Sequence, residues 1–170
     1  MGSELAAAIN DVAHLTGSFR LRSGATATEY FDKYQFEARP DLLARIAEAM
    51  APLVPEDTEV LAGLELGGVP VATALSLHTG IPAAFVRKAA KTYGTQRLAE
   101  GADIDGRRVL VVEDVVTSGG QIVLSARDLR AFGASVTTAV CVIDRESGGR
   151  EALTELGVEL RPLFARSDLA

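Results

Sequence analysis

Two adjacent carboxylates followed by a loop of small residues are the most chemically suggestive feature of this chain of 170 residues. Glu113 and Asp114 come directly after the apolar run Val109 to Val112, and a Thr-Ser-Gly-Gly loop follows at 117–120. Glycines allow successive backbone N–H groups to turn toward an anion, hydroxyls add donors, and a helix beginning near Gln121 adds the positive end of its dipole. The spacing predicts a site for a phosphate monoester, beside two acids that accept hydrogen bonds from sugar hydroxyls. The alternative is an ordinary strand, acidic turn and helix cap.

The elements around this loop predict an α/β fold with a parallel sheet flanked by helices. A short, β-branched apolar run such as 109–112 is typical of a buried parallel strand, and open α/β sheets bind ligands at the carboxyl ends of their strands. The hydrophobic pattern predicts helices at 40–50, 69–78, 121–132 and 152–156, and strands at 59–63, 83–86, 109–112, 136–143 and 158–164. Alternating strands and helices imply right-handed crossovers, and the length favours one domain over residues 1–170.

Two segments stand apart from this alternation. A helix at 4–15 and short strands at 19–22 and 29–34 predict a small N-terminal hood over about residues 1–36. Residues 88–106 show no sustained periodicity and are long for a connection, which predicts a flexible lid. Cations at the start of this lid suit a polyanion such as pyrophosphate, although a solvated charged loop is the plainer alternative.

The overall composition narrows the class of protein. A formal charge of −6 and a pI near 5.0 disfavour nucleic acid as a partner. The sequence has neither an apolar run of membrane-spanning length nor a basic start followed by an apolar block, so we expect a cytoplasmic protein without a membrane partner. Cys141 lies in an apolar run, and we expect it to be buried in the core. His14 and His78 fall on apparent helices, which argues against a histidine-based metal or nucleophile site.

The block 113–121 resembles the 5-phosphoribosyl-1-pyrophosphate (PRPP) motif of type I phosphoribosyltransferases, and residues from about Phe19 to Gly149 are similar to orotate phosphoribosyltransferases. Gln121 departs from the motif, because a Ser or Thr often closes the loop there. The resemblance implies a PRPP site made of the whole block, namely Glu113, Asp114, Val115, Val116, Thr117, Ser118, Gly119, Gly120 and Gln121.

The cationic start of the lid also resembles this family. There, a lid of the same pattern reaches across a dimer interface to the neighbour's pyrophosphate, which here implies Arg87, Lys88, Lys91 and Tyr93. The resemblance thus implies a homodimer, with these four residues and Asp114 in catalysis. The segment Glu65, Leu66, Gly67 looks like the family's pyrophosphate loop, although some members have Tyr-Lys at its first two positions and a plain helix-capping turn is the alternative.

The resemblance extends to an acceptor site. It implies that Arg22, Tyr30, Phe31 and Thr117 bind a flat base and that Arg145 holds the carboxylate of orotate; the family commonly has Lys where Arg22 stands. The implied activity is Mg²⁺-dependent transfer of the phosphoribosyl group from PRPP to orotate, giving orotidine 5′-phosphate and pyrophosphate. Mg²⁺ would be held mainly by substrate oxygens and water, without a protein ligand.

Two alternatives stay open at this point. The acceptor could be another nucleobase, although Arg145 favours a carboxylated one. A protein of the same fold could instead bind the donor as a non-catalytic regulator that contacts nucleic acid, but the negative charge and the lack of a helix-turn-helix pattern disfavour it. For Lys33 the sequence indicates only a salt bridge or a surface position.

Overall fold

The computed structural model describes residues 2–21, 23–90 and 97–169. Its helices are α1 (Gly2–Ala13), α2 (Tyr34–Glu37), α3 (Pro40–Met50), α4 (Gly68–Thr79), α5 (Gly120–Ala131) and α6 (Gly149–Glu155), with 3₁₀ turns at Ala51–Leu53 and Arg166–Leu169. Its strands are β1 (His14–Arg20), β2 (Thr26–Phe31), β3 (Val60–Leu64), β4 (Ala83–Val86), β5 (Ala99–Gly101), β6 (Val109–Val116), β7 (Thr138–Asp144) and β8 (Glu159–Ala165).

The main sheet has the order β5-β4-β3-β6-β7-β8. Strands β4, β3, β6, β7 and β8 are parallel, whereas β5 pairs with β4 in the antiparallel direction at the edge. The predicted parallel sheet is therefore confirmed. The chain builds outward from β3 to β4 and then returns to place β6 on the other side of β3. Ligands of open α/β sheets bind at this kind of reversal, beyond the carboxyl ends of the two strands, here β3 and β6.

Helices cover both faces of the sheet, because successive strand residues point to opposite sides. On one face, Leu61, Leu110 and Val112 are buried with residues of α1, α3 and α4; on the other, Ala62, Val111 and Cys141 are buried with residues of α5 and α6. Cys141 is the core residue that the sequence predicted. Burial raises the pKa of its thiol well above the ordinary value.

The predicted hood is an antiparallel ribbon of β1 and β2 next to α1. Its boundaries differ from the prediction, because His14, Leu15 and Thr16 pair with residues 29–31 and so belong to β1. The first helix consequently ends at Ala13, and placing His14 on a helix was wrong. His78 does lie on a helix, α4. After β2 the chain turns into the short helix α2, so residue 34 is helical rather than extended.

Two further boundaries correct the sequence interpretation. Strand β6 was expected to end at Val112 but continues to Val116, because Glu113, Val115 and Val116 keep pairing with β7. The irregular part of the predicted lid is also shorter than 88–106. Residues 99–101 form β5, and Leu98 and Ile104 on either side of it are buried in the core.

Candidate active site

The loop at 117–119 encloses a small cavity at the carboxyl end of β6. The cavity has a volume of about 80 Å³ and is lined by Glu113, Val115, Val116, Thr117, Ser118, Gly119, Gly120, Gln121 and Ile122. The backbone N–H groups of residues 118–121 donate to no acceptor within the described ranges, since α5 begins only at Gly120. Unpaired amides at the positive end of a helix make this cavity a fit for a phosphate group.

Gly119 is required by the backbone of this loop. It has φ +75°, and a Cβ there would lie 3.1 Å from the Cα and carbonyl O of Gly149 at the start of α6. A side chain would therefore be both strained and crowded. The side chain of Gln121 is held along α5, where its Nε2 donates a hydrogen bond to Ser125 Oγ at 3.1 Å.

The two acids lie inside β6 rather than beyond its end, and both are buried. Glu113 is 8% exposed, and its Oε1 accepts a hydrogen bond from the backbone N–H of Asp114 at 3.1 Å. Asp114 is 0% exposed, and its Oδ1 accepts from the backbone N–H of Val115 at 2.6 Å. Glu113 thus lies beside the loop at 117–120, whereas Asp114 is covered by other groups.

Lys33 and Glu37 are the groups that cover Asp114, and the sequence interpretation gave neither a role in the site. Lys33 Nζ lies 2.7 Å from Asp114 Oδ2, an ion pair in which Oδ2 still lacks an aligned hydrogen bond. Glu37, at the end of α2, is 7% exposed, and neither of its carboxyl oxygens has a hydrogen-bond partner within the described ranges. Their spacing of four residues, which puts two side chains on one helix face, is the signal that could have linked them.

The charges in this cluster strongly influence one another. Burial raises the pKa of Glu37 to about 9 and that of Glu113 to about 8, in both cases with help from the negative charge of Asp114. Burial alone would also raise the pKa of Asp114, but the neighbouring Glu37 carboxyl and the Lys33 ammonium outweigh it and leave that pKa below the ordinary value. Burial lowers the pKa of Lys33, but Asp114 more than compensates, so the net shift is upward.

The loop after β3 lies against the same carboxylate. A Cβ built on Gly67 would lie 1.6 Å from Asp114 Oδ2, so only glycine fits at this position. The loop is tied to β4 by the hydrogen bond from the N–H of Glu65 to the carbonyl of Val86 at 2.9 Å, and Leu66 is 65% exposed. The structure therefore brings the predicted pyrophosphate loop, Glu65 to Gly67, next to Asp114.

A larger cavity of about 510 Å³ separates the hood from the carboxyl ends of the strands. Four of the predicted base-binding residues line it, Tyr30, Phe31, Thr117 and Arg145, together with Leu21, Glu29, Lys33, Val115, Ser147 and Arg166. Tyr30 stacks on Phe19 with ring centroids 5.6 Å apart, and the guanidinium of Arg145 lies 5.5 Å from the centroid of the Phe31 ring. Aromatic faces beside a guanidinium suit a flat, anionic ring.

Arg166 is a second guanidinium in this pocket that the sequence interpretation missed. It follows β8, and it lines both the 510 Å³ cavity and an adjoining one of about 410 Å³ that also contains Arg145. No ion pair with a described residue neutralises either arginine. Burial, and then the charge of Arg166, lower the pKa of Arg145, so an anion in this pocket would relieve their repulsion.

The predicted lid residues are only partly described. Arg87 directly follows β4, and its Nε lies 3.7 Å from Glu100 Oε1; Lys88 is exposed. Both stand at the carboxyl edge of the sheet, but neither is among the residues that line the 510 Å³ cavity. Lys91 and Tyr93, and Arg22 of the base-binding set, lie outside the described residues.

The site is compatible with Mg²⁺ that is held largely by a substrate. Among the described residues there is no group of three or more His, Cys, Asp or Glu side chains that could hold a metal. Asp114 already faces Lys33, and Glu113 is buried. Mg²⁺ bound together with substrate phosphates needs only one or two protein carboxylates, directly or through water.

A parallel sheet of this strand order, with a small-residue loop after β6 and two acids beside it, is typical of a phosphoribosyltransferase. Comparison with known proteins supports this class. Residues 33–155 match the phosphoribosyl transferase domain. The orotate phosphoribosyltransferase of a Nocardioides species is 54% identical over 169 residues, covering 99% of this chain and 94% of the relative.

Solved structures give the same result. The Mycobacterium tuberculosis H37Rv orotate phosphoribosyltransferase in complex with Fe(III) dicitrate superposes with a TM-score of 0.91 at 35% identity, covering 99% of this chain and 98% of that one. The same enzyme in complex with PRPP superposes with a TM-score of 0.85 at 32% identity and the same coverage. The chain belongs to the orotate phosphoribosyltransferase family, and it is therefore a transferase. Within the described ranges, no helix is both long and apolar enough to span a bilayer.

Proposed function

We propose that this chain transfers the 5-phosphoribosyl group from PRPP to orotate and forms orotidine 5′-phosphate and pyrophosphate, a step of pyrimidine nucleotide synthesis. The observation that carries the proposal is that two cavities adjoin. Val115 and Thr117 line both the 80 Å³ cavity inside the phosphate loop and the 510 Å³ cavity under the hood. A ribose 5-phosphate in the first therefore places its sugar ring beside a base in the second.

In this proposal the donor spans the two loops at the switch point of the sheet. The amides of residues 118–121 bind the 5-phosphate, Glu113 and Asp114 accept hydrogen bonds from the ribose hydroxyls, and the Glu65–Gly67 loop faces the pyrophosphate. Donor oxygens and water would hold Mg²⁺, and the bound ion would neutralise part of the pyrophosphate charge. The ribose hydroxyls reach Asp114 when they compete with the ammonium of Lys33 for Oδ2 of that carboxylate.

The acceptor lies in the 510 Å³ cavity. Its ring stacks against Tyr30 and Phe31, and its carboxylate pairs with the guanidinium of Arg145. Ring nitrogen N1 gives up its proton to solvent and forms the new bond to the anomeric carbon, while the bond to the pyrophosphate oxygen breaks and that oxygen keeps the electron pair. Because positive charge builds on the sugar and negative charge on the leaving group, the protein acts by positioning and electrostatics.

The remaining parts of the proposal rest on the family resemblance. Arg87, Lys88, Lys91 and Tyr93 form a lid that closes over pyrophosphate, and in a homodimer this lid serves the neighbouring subunit. Arg22 joins the base-binding residues. The acidic chain and the metabolic reaction make the cytoplasm the proposed location, with PRPP and orotate as partners.

The test is a spectrophotometric assay of orotate consumption with PRPP and Mg²⁺, run beside uracil, adenine and hypoxanthine as acceptors. We expect turnover with orotate and little with the uncharged bases, because Arg145 and Arg166 form no ion pair with a described residue. Turnover with an uncharged base but not with orotate would contradict the acceptor. Donor binding without turnover of any base would contradict the enzyme and favour a donor-binding regulator.

A further inference from the structure

Glu37 is a buried acid that the transfer reaction leaves without a role. Its side chain is 7% exposed, and both carboxyl oxygens lack a hydrogen-bond partner within the described ranges. An ionised carboxylate in such a place is very unfavourable unless it is paired. Either Glu37 carries a proton or its surroundings supply a donor, and the oxygens of a carboxylate can only accept hydrogen bonds.

The groups around Glu37 favour the proton. A Cβ built on Gly67 would lie 1.6 Å from Asp114 Oδ2 and 3.0 Å from Glu37 Oε1, so the two carboxyl groups converge beside the same backbone atom. The charged groups that act on Glu37 are Lys33 just before α2 and Asp114 and Glu113 on β6. One ammonium cannot balance three buried carboxylates, and burial raises the pKa of Glu37 to about 9.

A protonated Glu37 also completes the bonding of Asp114. Oδ1 of Asp114 is held by the N–H of Val115 at 2.6 Å, and Oδ2 faces Lys33 at 2.7 Å without an aligned hydrogen bond. The O–H of Glu37 can donate to Oδ2, which would leave the carboxylate charged, fully oriented and unable to rotate. Such preorganisation is what a group that receives ribose hydroxyls requires.

We propose that Glu37 is a positioning residue: as a protonated acid it donates a hydrogen bond to Asp114 and, with Lys33, fixes that carboxylate for the ribose of the donor. This inference rests on the proposed function, because it assumes that Asp114 binds the ribose. The plainer alternative is a buried network that contributes only to folding. The positioning role and the purely structural role differ in whether substitutions at position 37 weaken donor binding selectively.

The test compares two substitutions of similar size. Glu37→Gln keeps an N–H donor that cannot titrate, whereas Glu37→Leu removes the donor. Glu48→Gln and Glu48→Leu are the matched controls, because Glu48 is an exposed residue of α3. Donor affinity is measured by calorimetry with PRPP and Mg²⁺, and KM for donor and for orotate is measured separately. Circular dichroism and thermal unfolding check that each variant is folded.

We expect Glu37→Gln to bind the donor within about threefold of wild type and Glu37→Leu to bind it at least about tenfold more weakly, which is typical for loss of a hydrogen bond to a charged group. KM for orotate should change less than about twofold in both, since Glu37 does not line the acceptor cavity. Equal losses in both variants, or parallel losses for donor and orotate, would overturn the proposal.

The pH dependence gives a second test. The donor affinity of wild type should fall as the pH rises through about 9, where Glu37 loses its proton, and this fall should be smaller in Glu37→Gln. Glu113, Asp114 and Lys33 are present in both proteins, so the difference between the two profiles isolates Glu37. Identical profiles would contradict the proposal.

Infrared spectroscopy of the ligand-free protein gives a third test that does not depend on turnover. The C=O band of protonated carboxyl groups at pH 7 should lose intensity in Glu37→Gln but not in Glu48→Gln. An unchanged band would overturn the proposal, even if Glu37→Leu failed to fold. Absence of orotate turnover in wild type would count against the acceptor alone, because donor affinity and the infrared band would still decide the role of Glu37.

Discussion

Replacing Lys33 with methionine removes the cation that faces the fully buried Asp114. Methionine keeps an unbranched apolar stem, so the main change is the loss of the ammonium at 2.7 Å from Asp114 Oδ2. The carboxylate of Asp114 then remains as a buried charge without its cation. We expect the variant to be clearly less stable than wild type at neutral pH, and to recover part of this loss in acid.

The loss of stability in Lys33→Met is bounded by the attraction that is removed, by the usual cost of breaking a buried pair and by the cost of protonating Asp114. Two unit charges at 2.7 Å attract by about 6 kcal/mol at an effective dielectric constant of about 20. Removing one partner of a buried pair typically costs about 3–5 kcal/mol, and the side chain of Lys33 is 34% exposed, which points to the lower end. Asp114 can also escape by taking a proton, which at pH 7 costs about 4 kcal/mol and sets a ceiling. We expect a loss of about 3 kcal/mol.

The assay is urea unfolding of the ligand-free proteins at pH 4 and pH 7. In wild type the lowered pKa of Asp114 contributes stability that is present above about pH 3.9 and is lost as the pH falls through its folded value. In the variant, burial without the cation raises the pKa of Asp114, so the variant loses stability as the pH rises above about 4. The stability difference should therefore be much smaller at pH 4.

A matched control is Arg39→Met, which breaks the exposed ion pair between Arg39 and Asp41 at 3.1 Å. Because both partners face solvent, we expect a far smaller loss that hardly changes with pH. The reasoning would be refuted if Lys33→Met were as stable as wild type at pH 7. It would also be refuted if the loss at pH 4 equalled that at pH 7, since Asp114 would then not be the cause.

Four further outcomes are expected. Gly119→Ala should lower stability by about 1–2 kcal/mol, measured by urea unfolding, and weaken donor binding in calorimetry, because φ is +75° there; unchanged donor affinity would count against the phosphate loop. Arg145→Gln should raise KM for orotate at least about tenfold and leave KM for the donor nearly unchanged; equal losses would contradict a carboxylate contact. Between pH 5 and 8 the unfolding free energy of wild type should fall as the pH rises, because Glu37 and Glu113, with pKa values of about 9 and 8, keep protons in the folded state. In Glu37→Gln, the slope of unfolding free energy against pH should shrink by about 1.4 kcal/mol per pH unit. An equal slope in the two proteins would be inconsistent with a protonated Glu37. Lys91→Ala should lower turnover by more than about threefold, roughly 0.6 kcal/mol, and a smaller change would exclude the lid role.

Much of the sheet could be predicted because its strands are short apolar runs between helical patterns. Strand β4 and helix α3 were predicted with the bounds that the structure gives them. Strand β6 was predicted too short, because Glu113 and Asp114 look like the start of a loop. Their burial depends on Lys33 and on pairing with β7, which a local pattern does not contain.

The loop at 117–120 depends on successive small residues, so its composition was enough to place it after β6. Its role in binding phosphate stays a prediction. Lys33, Glu37 and Arg166 were missed because each reaches the site through tertiary packing: the first two through the short helix α2, and the third from the turn after β8. Arg166 had no sequence signal that could have found it.

The most direct measurement is a crystal structure of the protein with orotidine 5′-phosphate. We expect the phosphate in the loop at 118–121, the ribose hydroxyls within hydrogen-bonding distance of Asp114, and the base over Phe31 with its carboxylate toward Arg145. A nucleotide bound elsewhere, with that loop vacant, would contradict the assignment of the donor and acceptor sites.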